Sequence, residues 1–182
     1  MGYSLRGGKP ETAEWFRQNE STITRVLDIG AGSGTYSRLI KQEFNLCCDA
    51  EWTAVEAWPE YIHKFRLPTL YDHVINQDAR TLDWNSLGHF SVAIAGDVLE
   101  HMTKSEAVKL VDQILQHADT LIVSIPIVYM PQDELEGNPY EVHVKPDWSH
   151  DEVMETWVTA IKHFYRKSVK SKIAVYWLSA DD

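Results

Sequence analysis

Val26-Leu27-Asp28-Ile29-Gly30-Ala31-Gly32-Ser33-Gly34 joins an apolar run to three glycines at alternate positions. Residues 25–29, bounded by Gly30, suit a short strand buried on both faces. The glycines let the backbone turn sharply and approach a ligand closely. Beyond them Tyr36, Leu39, Ile40 and Phe44 recur at helical spacing, so residues 35–44 are predicted to be helical. Strand, glycine turn and helix together make one βα unit.

The alternation continues on both sides. Pro10 precedes a predicted amphipathic helix over 11–19, with Trp15 and Phe16 facing the core. Further strands are predicted at 52–56, 73–76, 90–95 and 120–125. Pro59 opens a helix carrying Tyr61, Ile62 and Phe65, and residues 104–116 carry an apolar stripe of Ala107, Val108, Leu110, Val111, Ile114 and Leu115. Ser149 and Glu152 have capping-box spacing and open a predicted helix reaching about Phe164. Residues 165–178 read as a hairpin turning around 169–172, with 173–178 as its stronger strand. Strands alternating with helices imply an α/β fold with a mostly parallel sheet covered on both faces.

The chain has 182 residues, and its 44% hydrophobic content fills one substantial core with little room for a second. A single domain over 1–182 is expected, with 1–20 as an N-terminal segment and helix. There is no apolar run of membrane-spanning length, and residues 1–10 lack the apolar stretch of a signal peptide, so the expectation is a cytoplasmic protein with no membrane partner. Cys47 and Cys48 are adjacent, too close to close a useful loop, and read as buried or half-buried thiols. The net charge of −10 is the wrong sign for a polyphosphate partner, which argues against nucleic acid. The one basic cluster, 162–172, reads as a solvated helix end and hairpin. Oligomeric state is left open.

In a sheet of this kind, ligands lie beyond the C-terminal ends of the strands. The helix after the glycine turn is expected to offer its N–H groups to a carboxylate or phosphate. A dinucleotide turn has the spacing Gly-x-Gly-x-x-Gly, whereas this one is Gly-x-Gly-x-Gly with Asp28 two residues before it. In that form Asp28-Ile29-Gly30-Ala31-Gly32-Ser33-Gly34 resembles motif I of the class I S-adenosylmethionine-dependent methyltransferases. The resemblance extends over about residues 26–178. It implies a Rossmann-like, doubly wound and mostly parallel seven-stranded sheet, with helices on both faces and an antiparallel C-terminal hairpin. It also implies S-adenosylmethionine as cofactor, S-adenosylhomocysteine as product, and a glycine turn packed on the methionine part of the cofactor.

Other positions match the family residue by residue. Glu56 ends the second predicted strand, where a carboxylate can accept both hydroxyls of a ribose. The following Ala57 and Trp58 would flank the adenine. Asp78 and Ala79, in Asn76-Gln77-Asp78-Ala79, resemble the place where the family's acid accepts the adenine amino group. Gly96-Asp97-Val98-Leu99-Glu100-His101 is similar to the family's motif IV, which places Asp97 and Val98 under the methionine end and points Glu100 and His101 towards the acceptor. In some members an acid-x-x-Glu-His phrase with a later histidine binds a divalent cation, and Asp97, Glu100, His101 and His143 could imitate it. The phrase also occurs in metal-free relatives, and the preferred reading is metal-free, with His101 as general base or acceptor-orienting group.

The connection 126–148 is longer than a structural link requires and reads as a substrate lid, with Tyr129, Met130, Tyr140, His143 and Trp148 suited to close over an organic acceptor. Asn138-Pro139-Tyr140 resembles a fragment of the motif of amino-methylating DNA enzymes, but it follows the fifth strand instead of the fourth. The reading preferred throughout is methyl transfer to an oxygen or nitrogen of a small molecule, with His101 and His143 as catalytic residues. The alternatives are a nicotinamide-dependent oxidoreductase, a non-catalytic cofactor- or partner-binding module, and a lyase or hydrolase of the cofactor itself.

Overall fold

The computed structural model describes residues 7–180; the first six residues of the N-terminal segment lie outside them. Seven strands form one sheet: β1 Arg25–Ile29, β2 Glu51–Val55, β3 His73–Ile75, β4 Phe90–Gly96, β5 Ala118–Pro126, β6 Ile161–Tyr165 and β7 Ile173–Leu178. Their order is β3-β2-β1-β4-β5-β7-β6. The first five run parallel, and β7 lies antiparallel to both β5 and β6. The order reverses between β1 and β4, which opens a crevice at their C-terminal ends.

Successive strand residues point to opposite faces, which splits the apolar residues into two cores. Leu27, Ile29, Ala93, Ala95, Leu121 and Val123 pack with Leu110, Val111 and Ile114 on one face. Val26, Val92, Ile94, Ile122 and Trp52 pack with Phe16, Tyr36, Ile40 and Leu67 on the other. The α-helices around the sheet are α1 Lys9–Asn19, α2 Thr35–Ser37, α3 Pro59–Lys64, α4 Trp84–Leu87, α5 Lys104–Leu115 and α6 His150–Thr156. The helix begun by α2 widens into a π-helix over Arg38–Glu43. A capping box fixes the start of α5, where Thr103 accepts the Glu106 N–H and Glu106 accepts the Thr103 N–H.

Two expectations change at the C-terminus. Ser149 does cap α6, accepting the Glu152 N–H at 3.1 Å, but the helix stops at Thr156 instead of reaching residue 164. Residues 161–165 are the edge strand β6, and the hairpin connection is 166–172. The deciding factor is non-local. β7 is buried along its whole length and presents two edges, one paired with β5 and the other open to the β-branched and aromatic residues of 161–165. The basic cluster therefore lies on an edge strand and turn, where charge discourages further pairing. Of the two thiols Cys47 is buried, whereas Cys48 is exposed. No helix among the described residues is long and apolar enough to cross a membrane.

Candidate active site

A cavity of about 370 Å³ opens at the C-terminal ends of β1, β2 and β4. Asp28, Gly30, Gly32, Glu56, Ala57, Asp78, Ala79, Asp97, Val98, His101 and His143 all line it, and Gly34 and Trp58 do not. Gly34 serves packing. At φ +71° a Cβ would lie 2.5 Å from the Leu70 side chain.

The glycine turn differs from an anion cradle. Gly30 and Ala31 both donate to the Val55 carbonyl, Gly34 donates to Ala31, and Gly32 donates to Glu56 Oε2 at 2.8 Å. The glycine N–H groups are thus satisfied within the protein. The Glu56 carboxylate takes the place at Gly32 that an anion would need, and its Oε1 accepts the Trp58 N–H at 2.9 Å. Asn76 holds the β2 end in place by donating to the Glu56 and Ala57 carbonyls. Burial raises the Glu56 pKa, while the Trp58 and Gly32 hydrogen bonds oppose that rise.

Carboxylates dominate the floor. Asp28 is 2% exposed, and burial pushes its pKa up to about 7 against the hydrogen bond from the Tyr71 hydroxyl and the charge of Lys9. Lys9, at the start of α1, is itself buried, and Asp97 and Asp28 hold its charge against desolvation. Asp97 sits at φ +57°, an uncommon conformation for a non-glycine residue, directly after Gly96, whose Cα packs on the Tyr36 ring. Its N–H donates to the Ser124 carbonyl at 2.7 Å. Asp78 is gripped by Arg80 at 2.6 Å, which lowers its pKa.

The opposite wall comes from the connection after β5. His101 Nδ1 donates to the Val142 carbonyl at 3.2 Å, and His143 Nδ1 donates to the Met130 carbonyl. The rings meet edge to face with centroids 4.8 Å apart. A carbonyl only accepts, so each neutral ring carries its proton on Nδ1 and leaves Nε2 as an acceptor. Burial, and then the proximity of His143, lower the His101 pKa; burial raises that of Glu100 well above the carboxylate range.

Within the same connection Met130, Tyr140 and Asn138 line the cavity, Asn138 having drawn notice only for its likeness to a DNA-enzyme motif, together with Gln132 and Glu141, to which the sequence had given no role. Two expected lid contacts fail. Tyr129 is 73% exposed and does not line the cavity, and Trp148 is 1% exposed, stacked on Trp157 in the core. Tyr36 and Tyr61, read as helix core residues, line the cavity as well, as do Arg80 and Lys172. Only the polar ends of the two tyrosines hinted at such a role.

The site suits a ligand that carries positive charge. Buried carboxylates face the cavity with few cations among them, and the turn bears no unspent glycine N–H for phosphate. Solved structures share the fold. The N-terminal domain of EvdMO1 with S-adenosylhomocysteine bound matches with TM-score 0.69 and 15% identity, over 98% of this chain and 83% of that one. An S-adenosylmethionine-dependent methyltransferase from Clostridium acetobutylicum matches with TM-score 0.70 and 14% identity, over 96% and 92%. The magnesium protoporphyrin IX methyltransferase of Synechocystis, solved with S-adenosylmethionine, matches with TM-score 0.64 and 14% identity, over 94% and 78%. No curated protein matches the sequence. The sequence profile of the methyltransferase domain family matches residues 26–119, more than half of the chain. Turn, acidic floor, fold and family profile agree, and the chain belongs to the class I S-adenosylmethionine-dependent methyltransferases.

Proposed function

We propose that this single-domain chain methylates an oxygen or nitrogen of a small-molecule acceptor, with residues 126–148 as the lid over that acceptor. The observation that carries this reading is the shared cavity, in which the glycine turn and Glu56 on one side face His101 and His143 on the other. Its volume suits a small molecule. When bound, S-adenosylmethionine supplies an electrophilic methyl group on a sulfonium.

The chain's own residues have distinct tasks in this reading. Glu56 keeps a lone pair on each oxygen for the ribose hydroxyls, and Ala57 leaves space beside the adenine. Asp78 and Ala79 meet the adenine edge, and Asp28 and Asp97 balance the cationic methionine end. His101 and His143 orient the acceptor, and their Nε2 atoms are placed to draw its proton. Alignment and exclusion of water account for most of what such a transfer requires.

The test combines calorimetric binding of S-adenosylhomocysteine with transfer of radiolabelled methyl to a panel of small hydroxylated and amino compounds. Glu56→Ala is expected to abolish binding, and His101→Ala to spare binding while slowing transfer. Tight binding with no acceptor methylated would favour a silent cofactor-binding module instead. Cofactor breakdown without an acceptor would favour a lyase or hydrolase.

A further inference from the structure

We propose that the methyl acceptor carries an anionic group, a carboxylate or a phosphate, which Lys172 meets at the rim of the cavity. The proposal rests on the methyl-transfer reading and names a substrate class for it.

The sequence is lopsided around this residue. No acidic residue lies between Glu155 and Asp181, and that span holds Lys162, Arg166, Lys167, Lys170 and Lys172 in a chain of net charge −10. The fold brings the last of these to the site. β7 begins at Ile173, which pairs with Pro126 at the C-terminal end of β5, and the Lys172 carbonyl accepts the Ile127 N–H at 2.8 Å. That pairing fixes the Lys172 backbone at the crevice end of the sheet. Lys172 is exposed and lines the cavity beside Pro126 and Ile173, so it stands where the cavity meets solvent. The turn before it is tied by its serines. Ser171 N–H donates to the Ser168 carbonyl at 3.0 Å, and Ser171 Oγ accepts the Ser168 N–H at 2.8 Å.

The charge of Lys172 is also unspent. Among the described residues, Arg80 and Lys172 are the Lys or Arg side chains that line the cavity. Arg80 is committed to Asp78 at 2.6 Å and to Glu106 at 2.8 Å. Lys172 makes no salt bridge or side-chain hydrogen bond among the described residues, although carboxylates line the same cavity. The cause is separation across the sheet. Asp28, Glu56 and Asp97 stand at the ends of β1, β2 and β4, whereas Lys172 opens β7 on the far side of β5.

The cavity is therefore bipolar, and that polarity orients an acceptor. An anionic end is repelled by the floor and attracted at the rim, which turns an uncharged hydroxyl or amine at the other end towards His101 and His143. A lysine is a point charge with three donors, so it accommodates a carboxylate or a phosphate without demanding one bidentate geometry. Arg166, Lys167 and Lys170 add to the field that draws the anion in.

The test uses the full-length protein saturated with S-adenosylhomocysteine. Salicylate and phenyl phosphate are titrated by calorimetry, with salicylamide and phenol as their uncharged counterparts. At least one anion should bind about 10-fold more tightly than its counterpart, and the tighter anion identifies the group. Raised salt should shrink that advantage, because the lysine is exposed. Lys172→Ala should abolish it and Lys172→Arg should keep most of it, with equal S-adenosylhomocysteine affinity in all three proteins. Anions that bind no better than their counterparts, or that bind wild type and Lys172→Ala equally, would overturn the proposal. So would a loss of S-adenosylhomocysteine affinity in Lys172→Ala, which would assign the lysine to the carboxylate of the cofactor. A Lys172-dependent anion site in a protein that transfers methyl to no acceptor would uphold the site and remove the methyl-transfer reading instead.

Discussion

Asp28 ties cofactor affinity to pH. Its carboxyl is enclosed on the cavity floor, and burial raises its pKa to about 7; Tyr71 and Lys9 pull it down, and Glu56 pushes it up. A ligand ammonium or sulfonium seated nearby favours the ionised form and returns the group towards its ordinary value of about 4. Binding then requires loss of the proton wherever the free protein holds one. At pH 5, two units below the free value, that loss costs about 2.7 kcal/mol, which is about a 100-fold weaker affinity than at pH 8. Calorimetric titration of S-adenosylhomocysteine from pH 5 to 8 should show the affinity rising and then levelling above pH 7. Asp28→Asn cannot titrate, so it should resemble wild type at pH 5 and fall behind it at pH 8. A flat wild-type profile, or a variant that keeps the whole slope, would refute the argument.

The same group makes a stability prediction in the absence of ligand. A pKa raised on folding contributes stability that is full below the unfolded value near 4 and is lost as the pH rises through about 7. Asp28→Asn should therefore be the more stable protein above pH 7, by up to about 4 kcal/mol, with the gap closing towards pH 4; urea unfolding at several pH values reads it.

Other outcomes follow from packing. Gly30→Ala would set a Cβ 2.6 Å from Val98 Cγ2 at φ +63°, and loss of S-adenosylhomocysteine binding with far-ultraviolet dichroism retained is the expected result. Trp148→Ala removes a core side chain and should cost about 3 to 5 kcal/mol in denaturant unfolding, with cofactor affinity little changed under native conditions. Thr103→Ala breaks the capping box of α5 and should cost about 1 kcal/mol, visible as a lowered thermal midpoint.

The β1 segment and its turn were legible because their chemistry is local. An apolar run followed by alternate glycines needs no distant partner to be read, and β1 falls at Arg25–Ile29 as predicted. The placement of Glu56 at the cavity was legible for a related reason, since it directly follows the strand beside that turn. What its carboxylate does there was not legible, because acceptance of the Gly32 N–H spans 24 residues. Misreading 157–164 as helix has the same origin. The Ser149 cap is a local signal, while the pairing of Ile161–Tyr165 with β7 becomes visible only once the chain has returned. In the connection 126–148, aromatic content suggested closure over a ligand. The side chains that line the cavity were instead chosen by tertiary contacts: Gln132 donates to Glu141, Asn138 accepts the Tyr140 N–H, and Trp148 is drawn into the core.

Charge on the floor sharpens the choice of ligand beyond what glycine spacing does. Asp28, Glu56 and Asp97 all line one cavity, with buried Lys9 offsetting part of the charge of Asp97 and Asp28. Like charges 4 Å apart repel by about 4 kcal/mol at an effective dielectric of 20. A pyrophosphate would meet that repulsion without compensation from Gly30, Gly32 or Gly34, whose N–H groups are already committed to Val55, Glu56 and Ala31. A dinucleotide-binding turn depends on such groups for its affinity. The same floor attracts a sulfonium and an ammonium, and the repulsion among its own carboxylates is relieved when they arrive. Ionised Asp28 therefore becomes the sensor of occupancy, and the slope of affinity against pH measures how close the cationic end of the ligand comes to it.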